Sequence, residues 1–347
     1  MLTVKDYIDR YFGLRAHGSS IRQEVVAGIT TFLAMAYITV VNPAILSDAG
    51  MDFGAVFVAT CLAAALGTLV MGLYANYPVA QAPGMGQNAF FTYGVVLGMG
   101  HSWQGALGAV FLSGLIFILL SVLPVREWLI NAIPRSLKLG ISAGIGLFLG
   151  IIALSGSGVI VSNDATIVGL GDLTEAPAIF MLLGFVVIAA LASRKTVGAV
   201  VIGMLLVTVL GWLTGAAEFK GVVSAPPSMT TLLQLDLRAA FDLSMVTVIL
   251  TLLLVDVFDT AGTLVGVANR AGMLDENGHL PRLRRALLSD SSATAVGAVL
   301  GTSSTTSFIE SAAGVEAGGR TGLTAVTTAM LFLLCLFVAP LAQSIPS

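Results

Sequence analysis

Apolar stretches of about 15 to 22 residues, separated by short polar breaks, run through nearly the whole chain and predict a succession of membrane-crossing helices. A polar, amphipathic segment, residues 1–24, comes first. Spans then follow at Val25–Leu46, Ala55–Tyr74, a third from about Gln87, Gly105–Leu123, Leu137–Leu154, Ala178–Ala192, Val197–Leu213, Leu243–Leu264, Ala286–Leu300, Thr305–Gly318 and Leu323–Leu341. Two of them break the pattern. The third is entered through NYPVAQAPGMG, rich in Pro and Gly, and the tenth through a run of Ser and Thr at 302–307. Lipid offers such segments no hydrogen bonds, so irregular backbone at this depth must be buried in protein or line a wet cavity. Both read as discontinuous helices whose short helical parts point N–H groups and a positive dipole end at a ligand.

Composition agrees with the pattern. Hydrophobic residues make up 56% of the chain, charged residues 10%, and the mean hydropathy is +0.96, which excludes an ordinary soluble domain. Segments of alternating polarity are missing, which excludes a β-barrel. Cys61 and Cys335 each sit within an apolar run and read as small core residues. No cleavable signal core precedes the first span. With the N-terminus cytoplasmic, only Lys220 and Arg238 of the 16 Lys and Arg fall outside, as the positive-inside rule asks. The RLRR cluster at 282–285 then reads as a cytoplasmic loop and not as a nucleic-acid site. Eleven spans put Ser347 outside, directly after a span, and the expectation is a chain cut short at its C-terminal end.

Three acids remain inside the membrane: Asp256, Asp259 and Glu310. Intramembrane carboxylates are costly and mark substrate or proton sites. Asp256 and Asp259, three apart, are expected on one helix face with Thr260 and Thr263 close by. No histidine lies in a span, so proton coupling falls to the carboxylates. Gly84-Met85-Gly86-Gln87-Asn88-Ala89 fits a dinucleotide fingerprint but lacks its strand and its acid, and reads instead as an unwound entry with Asn88 near a new helix start. Glu316 and Arg320 are expected to form an i, i+4 ion pair, and Asp290 to cap the ninth span. Nothing resembles a hydrolase, zinc or P-loop motif, so an enzyme is not predicted and no cofactor is called for. The broken segments lie seven spans apart. That spacing predicts an all-α inverted seven-plus-seven repeat with the site at the repeat interface, and eleven of fourteen spans in this chain.

The stretches QAPGMGQNAFFTYG (81–94), LLLVDVFDTAGTLVGVANRAGML (252–274) and GTSSTTSFIESAAGVEAGGRTGLTA (301–325) resemble the AzgA-like purine permeases, a branch of the nucleobase/ascorbate transporter family related to the bacterial uracil permease. The resemblance implies a core domain of residues 25–123 and 243–347, and a gate domain of which 124–242 is the first half and spans 12–14 are absent. It implies proton-coupled uptake of adenine, guanine or hypoxanthine across the inner membrane by movement of core against gate, and a homodimer. Carried onto this chain, Asp259 is the acid that contacts the base and is tied to protonation. Glu310 and Asn88 also bind the base, Asp256 shares in proton coupling, and Phe90 and Thr305 line the pocket. Competing readings are an anion or a pyrimidine/xanthine carrier of the same fold, and a truncated, non-transporting membrane protein.

Overall fold

The computed structural model describes residues 3–123, 135–276 and 279–345; Arg126, counted above on the cytoplasmic side, lies outside them. The chain opens with helix α1 (Val4–Phe12), capped reciprocally by Thr3 and Asp6 and ended by left-handed Gly13. The first predicted span is two helices, α2 (Ile21–Met35) and α3 (Ile38–Asp48). They part at Ala36–Tyr37, where the Thr39 N–H and hydroxyl both bond the Ala36 carbonyl in a tightened turn. Pro43, inside α3, returns no N–H to the ladder and loosens the same stretch.

Helix α4 (Phe53–Val70) runs on in π-helical turns to Ala75. Strand β1 (Gln81–Pro83) leads into α5 (Met85–Ala89), itself extended by π-helical turns to Gly98. Next come α6 (Trp103–Val122), α7 (Arg135–Gly156) and a hairpin of β2 (Ile160–Asn163) with β3 (Ile167–Leu170), in a connection where the sequence pattern predicts no element. Helices α8 (Ala176–Ser193), α9 (Ala199–Thr214) and the short α10 (Leu237–Ala240) precede the long α11 (Leu243–Arg270). The remainder is α12 (Leu283–Leu300), β4 (Thr305–Ser307), α13 (Ser311–Glu316), α14 (Gly322–Cys335) and α15 (Ala339–Gln343). Among the described residues, six helical segments are long and apolar enough to cross a membrane, counting α2 with α3 and α14 with α15 as one each, and both predicted breaks are present.

Helix α12 packs between α4 and α6, and α14 packs on α2 and α4. Small residues allow the close approach: a methyl group on Gly114 would sit 2.9 Å from the Ala295 nitrogen, and one on Gly322 would meet the Gly72 carbonyl. Around these crossings Phe57, Phe91, Leu252, Leu264 and Phe332 are fully buried. Helices α8 and α9 pack on each other, while α7 touches α5 and α9 touches α2. At the centre β1 and β4 pair antiparallel, Gln81 opposite Ser307, Ala82 opposite Thr306 and Pro83 opposite Thr305. Gly84 N–H to Ser304 O and Phe308 N–H to Ala80 O, both 2.9 Å, extend the pairing. All six strand residues are buried, so each broken segment satisfies the other's backbone where lipid offers nothing.

Candidate functional site

The strand pair places the starts of α5 and α13 beside the middle of α11, and a cleft of about 530 Å³ opens there. Asp259 of α11 and Glu310, which precedes α13, face it. Phe258, Phe308, Met85 and Leu149 supply apolar wall, and Gly84 and Gly86 bring backbone to its edge. Tyr37 enters from the break between α2 and α3, and its hydroxyl donates to Glu310 Oε1 at 2.7 Å. That contact fixes the direction of the Glu310 carboxylate, and its other oxygen, without a hydrogen-bond partner among the described residues, is left for a ligand. Thr263, one turn beyond Asp259, adds a hydroxyl.

The two aspartates of α11 part company. Three residues along a helix leave side chains about 60° apart, and that angle spans the boundary between cleft and interior. Asp259 is exposed to the cleft, whereas Asp256 is buried and its Oδ2 accepts the Thr294 hydroxyl of α12 at 2.9 Å. The shared face expected from spacing is therefore divided.

Asp290 is not a cap. It stands in mid-helix on α12, fully buried, and accepts from the Ser307 N–H (2.7 Å), the Ser307 hydroxyl (2.6 Å), the Thr260 hydroxyl (2.5 Å) and Gln81 Nε2 (3.1 Å). One carboxylate thus ties α12 to α11 and to both crossing strands. Glu24, read as part of the polar N-terminal segment, is also buried; it accepts the Arg320 and Thr321 N–H groups and the Thr324 hydroxyl. The expected pair between Glu316 and Arg320 does not form. Arg270 donates to Glu316 instead, and the Arg320 guanidinium bonds the carbonyls of Val315 and Gly319, both at 2.7 Å.

The other residues named from the sequence lie behind the cleft. Asn88 is fully buried on α5, and its Oδ1 accepts the Ser303 hydroxyl. Phe90 packs into the apolar cluster that holds Phe91, Val95 and Leu107. Thr305 is buried in β4, with its carbonyl accepting the Thr294 hydroxyl at 2.9 Å and its side chain against Gly297. Further back, Asn42 Nδ2 joins Thr60 and Thr302 at 2.6 and 2.9 Å. The cleft thus combines two acceptors, a tyrosine-fixed carboxylate among them, with aromatic and aliphatic walls. That is a site for a small ligand with N–H donors on its edge and apolar faces.

Two broken helices crossing at a buried strand pair define an inverted-repeat membrane transporter. The transmembrane domain of a cyanobacterium bicarbonate transporter, BicA, shares this fold with a TM-score of 0.67 at 16% identity, over 94% of this chain and 85% of that one. Sequence is more particular: residues 22–347 match the Permease family, Xan_ur_permease. Over 340 residues the chain is 50% identical to the adenine permease AdeP of Escherichia coli (strain K12), covering 98% of this chain and 76% of the relative. It is 48% identical to the guanine/hypoxanthine permease PbuG of Bacillus subtilis (strain 168) over 350 residues, covering 97% and 79%. The chain belongs to this permease family and is a multi-pass membrane protein.

Proposed function

We propose that the protein takes up purine bases such as adenine, guanine or hypoxanthine across the cytoplasmic membrane together with protons. The observation that carries this reading is the meeting of Asp259, Glu310 and Tyr37 at one cleft whose walls are aromatic and aliphatic. A neutral planar base has N–H donors for the two carboxylates and flat faces for Phe258 and Phe308. The permease relatives named for adenine and for guanine/hypoxanthine support the substrate class. Asp259 and Glu310 are assigned to the base and the coupled proton, with Asp256 a step further inside. Two carboxylates at the cleft disfavour an anion as cargo, although a bicarbonate transporter shares the fold.

In this reading the helices around the strand pair carry the base as one body, and α7–α9, which touch them lightly, form the surface they move against. The placement of Lys and Arg supports a cytoplasmic N-terminus. The test is equilibrium binding of labelled adenine, guanine and hypoxanthine to the detergent-purified protein, with uracil and sulfate as competitors. Saturable purine binding is expected, weakened about tenfold to a hundredfold by Asp259→Asn or Glu310→Gln. Displacement by uracil as effective as by unlabelled purine, or full binding by both variants, overturns the reading.

A further inference from the structure

The arginine cluster that precedes and opens α12 takes no part in the cleft. Arg282, Arg284 and Arg285 are exposed, and among the described residues none of the three pairs with a carboxylate. Two of them rest on aromatic rings instead. The Arg285 guanidinium lies 5.5 Å from the centre of the Tyr74 ring and that of Arg282 lies 5.0 Å from the Tyr77 ring. Tyr77 is itself anchored by its hydroxyl to the Pro281 carbonyl. A guanidinium stacked on a ring keeps N–H groups at its edge for an anion and is held in place to meet it.

The end of α4 that carries Tyr74 also receives α1. Tyr11 donates to the Leu73 carbonyl at 2.9 Å, Asn76 Nδ2 donates to the Phe12 carbonyl at 3.1 Å, and Phe12 and Leu14 are buried. The outer side of α1 leaves Val4, Tyr7 and Tyr11 exposed at 78%, 66% and 50%, next to exposed Leu73 and Tyr74. Its carboxylates are already engaged. Asp9 pairs with Arg15 at 2.8 Å, and Asp6 accepts the Thr3 N–H and hydroxyl, bonds that hold its carboxyl below the usual range. They therefore leave the arginine charge uncompensated. Cations, tyrosines and an amphipathic helix at the end of a span are the groups that sit at a bilayer's headgroup level.

We propose that Arg285, held over Tyr74, and its exposed, unpaired neighbour Arg284, with the outer face of α1, bind the headgroup of an anionic phospholipid. The phosphate meets the two guanidinium edges, and the acyl chains run along the exposed apolar residues of α1 and the end of α4. A free phosphate would satisfy the arginines alone, whereas a lipid also covers the apolar surface beside them. This site is independent of the purine assignment.

The experiment is native mass spectrometry of the detergent-purified full chain titrated with dioleoyl-phosphatidylglycerol, with dioleoyl-phosphatidylcholine or with inorganic phosphate. Preferential retention of phosphatidylglycerol is expected. Arg284→Gln with Arg285→Gln should weaken it about tenfold, leaving phosphatidylcholine unchanged. Tyr74→Leu, which keeps both charges but removes the ring under Arg285, should weaken it about threefold. The same neutralisation at another cationic turn, Arg194→Gln with Lys195→Gln, should change nothing. Equal retention by the Arg284/Arg285 variant, equal loss in the Arg194/Lys195 control, or displacement of the lipid by millimolar phosphate overturns the proposal.

Discussion

The two broken segments are built alike and supply different things. Each runs a three-residue strand into a short helix at the same level, and the strands pair. Segment three contributes backbone and apolar surface to the cleft, through Gly84, Met85 and Gly86. Its polar side chains, Gln81 and Asn88, turn inward to Asp290 and Ser303. Segment ten sends Glu310 into the cleft, reaches its edge with Ser307, and keeps its other hydroxyl residues, Thr302 to Thr306, buried behind it. A repeat relates the shapes of the two segments, but the side-chain chemistry is shared out between them. One segment gives the ligand a close wall and the other gives it a charge.

Changes that attack the common frame should outweigh those that touch one segment. Asp290→Ala removes the acceptor for Ser307, Thr260 and Gln81 at once and leaves buried donors unpaired. A loss of about 3–5 kcal/mol is expected, seen as a much lower thermal midpoint or no folded protein in detergent. Gly84→Ala tests the wall of segment three. Its methyl group would clash with the Gln87 side chain and approach Thr306 Cγ2 at 2.9 Å, pushing the strands apart. Destabilisation by about 1–3 kcal/mol and at least about tenfold weaker purine binding should follow.

Tyr37→Phe tests the charge of segment ten without removing it. Glu310 loses one fixed donor, and purine affinity should fall about threefold to tenfold in the same binding assay. Thr305→Val is the smallest change. Among the described residues the Thr305 hydroxyl has no hydrogen-bond partner, and it faces Gly297, so affinity should shift less than about twofold. A large loss with Thr305→Val would place the ligand behind the strand pair, on the side of Asn88, and would reverse the division of labour between the two segments.

What could be read from the chain depended on contrast with its surroundings. Asp259 and Glu310 stand out because a carboxylate in an apolar run is costly unless it serves a ligand, a proton or a partner, and both face the cleft. The breaks at Pro83-Gly84 and at 302–307 were visible for the same reason. Asp290 was hidden by its company, since Ser289, Ser291 and Ser292 make the stretch look like the polar start of a helix. Its partners come from β1, β4 and α11, which no local window contains. Tyr37 gave no signal either, because its role depends on a kink set by Thr39 and on a carboxylate 273 residues away. Spacing told that Asp256 and Asp259 are neighbours, but not that the edge of the cleft falls between them.

The pairing of β1 with β4 also sets an order of events during synthesis. Residues 81–83 are made long before 305–307, and until then their backbone has no mate at that depth. The first half of the protein must wait inside the translocation machinery or among its own helices with an open strand, and its centre closes only when segment ten arrives. Ribosome-stalled chains ending between residues 270 and 300 should therefore be far more sensitive to membrane proteases and exchange labels than the same chain released with segment ten in the membrane. The contact that holds the site together is thus one that the growing polypeptide cannot make until segment ten has been delivered.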